Sequence, residues 1–305
     1  MKIAALAGGV GGAKLLVGLQ RVVGPNLTAI VNTGDDARFY GVHVSPDVDI
    51  VTYWLAGIAD TERGWGIKSD TFHMIEALAA LGMETWFALG DRDFATCAFR
   101  TERLRSGATL SAVTDEIRRS LGIAPRIIPM SDNQVRTHIV TNDDRTLEFQ
   151  EYFVREKQQP HVASVQFASQ SETKAAPGVL DAIADADMVV LCPSNPIVSV
   201  APILFLDGVR DALCAHERVI AVTPIVRGAP LKGPADKLLA ASGVEISASG
   251  VAGLYSDFCD TFVVDASDSD EVSKVEALGL AAVALDTLMT DHDASESLAG
   301  DLLNL

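Results

Sequence analysis

The residues best suited to chemistry lie in the first fifty positions. Asp35 and Asp36 close the run Asn32-Thr33-Gly34-Asp35-Asp36, and Asp47 and Asp49 fall in Ser45-Pro46-Asp47-Val48-Asp49. Carboxylates grouped in this way offer hard oxygen ligands. Mg²⁺ takes one or two of them and completes its shell with water and phosphate. Upstream stands Gly8-Gly9-Val10-Gly11-Gly12-Ala13-Lys14. Glycines let the backbone turn tightly and approach a ligand, because no Cβ intervenes. A turn from strand into helix aims unpaired N–H groups and the positive end of the helix dipole at one point, a ready site for phosphate. Acidic loops near such a turn could hold a divalent cation that bridges to the phosphate.

Each feature also has a plainer reading. Asp after Gly or Pro is common in ordinary turns, and the glycines could make a tight turn with no ligand. They do not form a P-loop, which needs Gly-Lys-Ser/Thr after its spacer. Lys14 stands where a dinucleotide fingerprint starting at Gly9-x-Gly11 would place its third glycine. Further along, Arg92 in Gly90-Asp91-Arg92-Asp93 could clamp a ligand with its forked donors or pair locally with Asp91 or Asp93. Ser194 and Asn195 form a rigid polar tip between Pro193 and Pro196. Lys232-Gly233-Pro234 resembles an anion-binding helix start. Trp54, Trp65, Phe72 and Trp86 offer faces for a flat ring, or belong to the core.

The elements that would position these residues read as α/β. Apolar runs at 1–7 and 27–31 flank a helix over 14–23, so the chain opens β-α-β, the start of a parallel sheet. The stretch around Asp47 and Asp49 reads as an acidic loop before a helix over 50–58. A helix over 72–81 and a strand over 86–89 follow. Residues of about 100–175 read as an insertion, with a helix at 110–121, extended stretches at 126–128 and 137–140, and a strand over 147–154 after the turn Asn142-Asp143-Asp144-Arg145. The parallel pattern resumes with strands at 188–191, 219–222, 262–264 and 281–284 and helices at 179–184, 209–214 and after Pro234. The expectation is one domain spanning 1–305, with a Rossmann-like, mostly parallel sheet, helices on both faces, and a mixed α+β insertion containing an antiparallel hairpin. The polar clusters follow strand ends, where open α/β sheets bind ligands.

Bulk properties narrow the class. The 305 residues carry a net charge of −17, which argues against nucleic acid, since that partner demands a basic footprint. Hydrophobic residues make up 48% of the chain, enough for a sizeable core. Cys97, Cys192, Cys214 and Cys259 form no Cys-x-x-Cys, and the histidines form no His-Glu-x-x-His. No basic leader precedes the first apolar run, and no apolar run reaches the roughly eighteen residues of a membrane span. A cytoplasmic protein with reduced thiols is expected.

Taken in order, the motifs resemble one family. Leu6-Ala7-Gly8-Gly9-Val10-Gly11-Gly12-Ala13-Lys14, Val31-Asn32-Thr33-Gly34-Asp35-Asp36, Ser45-Pro46-Asp47-Val48-Asp49, Gly90-Asp91-Arg92-Asp93-Phe94-Ala95-Thr96, Ile128-Pro129-Met130-Ser131-Asp132, Pro193-Ser194-Asn195-Pro196, Lys232-Gly233-Pro234-Ala235 and Asp286-Thr287-Leu288-Met289-Thr290 are similar to the 2-phospho-L-lactate transferase family (CofD/FbiA) across about 290 residues. The resemblance implies a step in coenzyme F(420) biosynthesis. A guanosine-diphosphate-activated 2-phospholactate or phosphoenolpyruvate, supplied by a guanylyltransferase, gives its phosphorylated three-carbon unit to the terminal ribityl hydroxyl of 7,8-didemethyl-8-hydroxy-5-deazariboflavin. GMP leaves, and Mg²⁺ is needed. It also implies that Asp49 and Arg92 bind the deazaflavin. On this reading Asp35 and Asp49 hold the metal, Asp49 is catalytic, and Asp47 supports them. Gly8, Gly9, Gly11, Gly12, Lys14, Ser194, Asn195, Lys232 and Gly233 hold the nucleotide and its phosphates. The family loop often reads Gly-Thr-Gly; Val10 here removes a loop hydroxyl. A homodimer is compatible with the reading. Two alternatives stay open: a nucleotide-sugar-binding regulator of the gluconeogenesis-factor type, and a dinucleotide-dependent oxidoreductase using Asp35 or Asp36 on ribose.

Overall fold

A computed structural model describes residues 1–169 and 173–305. Seven short apolar runs form the central sheet: β1 (Ile3–Ala7), β2 (Leu27–Val31), β3 (Arg126–Pro129), β4 (Met188–Leu191), β5 (Val219–Val222), β6 (Thr261–Asp265) and β7 (Ala281–Leu285). Every neighbouring pair is parallel, in the spatial order β7-β6-β5-β4-β1-β2-β3. Parallel strands need crossovers on the sheet faces. The central strands β1, β4 and β5 are accordingly buried at every residue. Two apolar cores flank the sheet, one containing Leu6 and Leu191 and the other Ala5 and Val190. Strand order reverses between β1 and β4, which opens a crevice beyond their carboxyl ends.

Helix α1 (Gly9–Val23) begins at the second glycine, so the glycine motif is the helix's own first turn. Leu15, Leu16 and Leu19 bury its inner face, and Gly18 lets the C-terminal helix (His292–Leu303) approach until a Cβ would overlap the Ser295 carbonyl. Helix α2 (Pro46–Leu55) starts earlier than the sequence suggested: Pro46 sits in its first turn, so Asp47 and Asp49 are helical, not parts of a loop. The N-termini of α3 (His73–Ala80) and α4 (Asp91–Arg105) are tied together by Asp91, the first residue of α4, and by Asp70, in the turn ahead of α3. The Asp91 carboxylate accepts from the amides of His73 (3.1 Å) and Met74 (2.9 Å), and the Asp70 carboxylate accepts from those of Arg92 (3.0 Å) and Asp93 (3.1 Å).

Three segments differ from expectation. Residues 86–89 form no strand; Trp86 and Phe87 instead pack on Phe39. Arg126–Pro129 lies within the expected insertion yet is a strand of the central sheet, pairing with β2 from Thr28 to Val31. The strand expected over 147–154 ends at Glu148, and Glu151–Arg155 winds into a π-helical turn that stacks Phe149 on Phe153 at 5.5 Å. The antiparallel hairpin is present, and Val162–Ser169 adds a third strand beside Val135–Thr141. Its inward residues Ile139 and Leu147 join the same core as Ile128. Residues 170–172 of the expected insertion lie outside the described residues. Among the described residues no helix is long and apolar enough to cross a membrane.

Candidate active site

The crevice opens into one cavity of about 580 Å³, within the usual range for small-molecule sites. Gly8, Gly9, Gly11, Lys14, Asp35, Asp47, Asp49, Ser194, Asn195, Lys232 and Gly233 all line it. Loop tips distant in sequence therefore converge, as strand-end placement predicts.

The glycines answer first to packing. A Cβ on Gly8 would overlap the Asp47 carboxylate, and one on Gly11 the Pro193 carbonyl; one on Gly12 would come within 2.6 Å of Ser194 Oγ. Gly12 is buried by that contact and does not line the cavity. The Gly8 amide donates to Ser194 Oγ (3.0 Å) and the Gly9 amide to Asp47 Oδ1 (2.8 Å). Helix geometry leaves the first-turn amides of Val10 and Gly11 without intrahelical partners, at the cavity wall. Asn195 spends its side-chain oxygen capping Ile197 and Val198.

The carboxylates divide into two groups. In the first, Asp47 accepts from Asn32 Nδ2 (2.8 Å) as well as from Gly9. Burial nonetheless pushes it up to about 6. Asp36 is held by His43 (2.9 Å) and Ser45 (2.6 Å). Asp35 has a buried oxygen with no hydrogen-bond partner. Burial, with the nearby Asp47 and Asp36 adding to it, raises this carboxyl well above its ordinary range.

The second group lies between α2 and α4. Asp49 and Tyr53 project from one face of α2. Asp93, Cys97 and Arg100 project from one face of α4. Arg100 grips both Asp49 oxygens, Nη1 donating to Oδ2 at 3.1 Å and Nη2 to Oδ1. The Tyr53 hydroxyl donates to Asp93 at 2.7 Å. Burial, then the Asp49 charge, pushes Asp93 up to about 7.

Arg92 is not brought to this wall. It is exposed, its guanidinium donates to the Lys68 carbonyl at 3.3 Å, and neither Asp91 nor Asp93 pairs with it. Arg63 supplies the arginine on the wall. It is anchored by Asp60 (2.8 Å) and the Ile67 carbonyl (3.1 Å), with its guanidinium over Trp65 and Phe72. Of the four aromatic candidates only Trp65 lines the cavity. Lys14 donates to the Met289 carbonyl at 2.7 Å, and burial, then Lys232, lowers its pKa. Sequence reasoning missed Tyr53, Arg63, Arg100, Phe149 and Gln150. The four- and three-residue spacings of Asp93, Cys97 and Arg100 in a helix starting after Gly90 were the available signal.

Compared with known protein families, residues 3–303 match one described as 2-phospho-L-lactate transferase CofD. The chain belongs to this family. It is 43% identical over 312 residues to a phosphoenolpyruvate transferase of Streptomyces coelicolor, covering 100% of this chain and 98% of the relative. It is 40% identical over 294 residues to a 2-phospho-L-lactate transferase of Methanosarcina mazei, covering 96% of each. Membership carries a transferase role in coenzyme F(420) biosynthesis. Among solved structures, a UPF0052-family protein of Bacillus halodurans superposes with a TM-score of 0.67 at 17% identity, over 99% of this CofD-family chain and 98% of that one. That likeness shows the same α/β fold.

Proposed function

We propose that this protein transfers the phosphorylated three-carbon unit of a guanosine-diphosphate-activated acid to the terminal ribityl hydroxyl of 7,8-didemethyl-8-hydroxy-5-deazariboflavin. The observation that carries the reading is the single cavity that joins an α1 amide turn, two lysines and two acidic groups. The hydroxyl oxygen attacks the phosphorus bearing the acid. A new P–O bond forms, the bridging P–O bond breaks, GMP leaves with the bridging oxygen, and the hydroxyl proton is released. The Streptomyces relatives, named phosphoenolpyruvate transferases, favour phosphoenolpyruvate as the acid; the Methanosarcina relative favours 2-phospholactate.

Alignment and charge neutralisation supply most of the catalysis in such a displacement. The Val10 and Gly11 amides, Lys14 and Lys232 face the diphosphate, with Ser194 and Asn195 beside the nucleotide. Asp49 directs the attacking hydroxyl. The residues present fit Mg²⁺ at Asp35 and Asp49. The donors are oxygens, Asp35 has a buried oxygen in want of a partner, and each Asp49 oxygen keeps a second lone pair beyond Arg100. When bound, the ion offsets the diphosphate charge and the protein's own negative field.

The test is incubation with the deazaflavin, GTP, Mg²⁺, a guanylyltransferase and each acid in turn, read by mass spectrometry. A deazaflavin adduct with GMP release is expected. Intact deazaflavin in every reaction would overturn the reading, and tight binding of a UDP-sugar instead would favour the regulatory alternative.

A further inference from the structure

The α2–α4 interface raises a question that the transfer reaction leaves open. Asp49, Asp93 and Cys97 are all buried, and each offers one atom within 4.8 Å of the others. No other group of three among the described residues meets that spacing for a metal ion. Two carboxylates and a thiol would suit a softer cation than Mg²⁺. Yet a cation already stands there. Arg100 is 1% exposed. Its guanidinium donates to both oxygens of Asp49 and reaches Cys97 Sγ at 3.8 Å, while its Nη1 also meets the His43 carbonyl at 3.2 Å.

We propose that Arg100 is a positioning residue, a fixed internal cation that holds the Asp49 carboxylate toward the cavity and closes the Asp49–Asp93–Cys97 trio to metal. Three features carry this. The fork engages both carboxylate oxygens, which fixes the plane of Asp49 and not merely its charge. The tie to the His43 carbonyl anchors the guanidinium to the backbone leading into α2, the helix that bears Asp49. The thiol lies close enough to the guanidinium that a metal ion bound by all three ligands would be driven against a positive charge. A divalent ion that uses Asp49 is thereby left to approach from the Asp35 side of the cavity, through the lone pairs that Arg100 does not take. This last clause rests on the proposed function; the exclusion of metal from the trio does not.

Cobalt(II) is the probe, because thiolate ligation gives it a sulfur-to-metal charge-transfer absorption that oxygen ligation lacks. Titrated into the full-length wild-type protein, Co²⁺ is expected to give no thiolate band. Arg100→Met is expected to gain one, and Arg100→Met/Cys97→Ser to lose it again. A thiolate band in the wild type that Cys97→Ser abolishes would overturn the proposal without any variant of Arg100 having to fold. Arg100→Lys, which keeps the charge and loses the fork, provides the second reading. Its kcat should fall on the order of a hundredfold, as expected for a misplaced catalytic group, with KM for the nucleotide donor within about twofold. Wild-type kcat in a folded Arg100→Lys would refute positioning. Absence of transfer in the wild type itself would count against the proposed function and leave the cobalt result standing.

Discussion

Tyr53 and Asp93 meet across α2 and α4, the phenol donating to the carboxylate at 2.7 Å, and both side chains line the cavity. The contact places a carboxyl raised to about 7 one helix away from Asp49. Its ordinary value is 3.8, so the folded protein holds a proton there that the unfolded chain has released. Stability from this group is fully present below about pH 4 and is lost as pH rises through about 7. Asp47, raised to about 6, and Asp35, also raised, act in the same direction.

Asp93→Asn should therefore flatten the pH dependence of the melting temperature measured in chelator between pH 5 and pH 8. The wild type should lose stability over that range more steeply than the variant. Parallel curves for the two proteins would show that Asp93 titrates normally.

Asp35→Asn separates metal binding from folding. The substitution removes a carboxyl whose ionisation is opposed by burial and by the neighbouring Asp47 and Asp36, so the melting temperature without metal should hold or rise at pH 8. The Mg²⁺ concentration for half-maximal transfer should increase at least tenfold. A lower melting temperature with an unchanged Mg²⁺ requirement would make Asp35 structural.

Asp49→Asn should abolish transfer in a protein that still gives a native circular dichroism spectrum. Asp49→Ala leaves the buried Arg100 unpaired and should cost about 3–5 kcal/mol, read as a shift in denaturant midpoint. Near-wild-type turnover by Asp49→Asn would remove Asp49 from the chemistry.

Arg63→Ala and Arg92→Ala distinguish two arginines in a deazaflavin titration. Arg63 lies on the cavity wall beside Trp65, whereas Arg92 is exposed and turned to Lys68. The Arg63 variant should weaken binding more. The reverse order would restore Arg92 to the acceptor site, as the family resemblance implies.

Gly11→Ala should destabilise by about 1–3 kcal/mol, because its Cβ would overlap the Pro193 carbonyl. Gly300→Ala, in the C-terminal helix with open space at the Cβ position, should stabilise by about 0.5–1 kcal/mol. A Gly11→Ala protein as stable as the wild type in urea melts would mean that the glycine turn is not close-packed.

The sequence alone determined the opening β-α-β unit, the glycine turn, the four later strands of the parallel sheet and the acidic pairs, because each is written in neighbours a few residues apart. Apolar periodicity sets strand and helix, glycine sets the turn, and strand ends set where polar loops collect. The tertiary structure alone decided that Asp49 faces Arg100, that Arg63 and not Arg92 reaches the cavity, and that Arg126–Pro129 joins the central sheet. Those facts are contacts between segments far apart in the chain: 51 residues separate Asp49 from Arg100. The spacing within α4 places Asp93, Cys97 and Arg100 on one face, but only the packing of that face on α2 selects their partners.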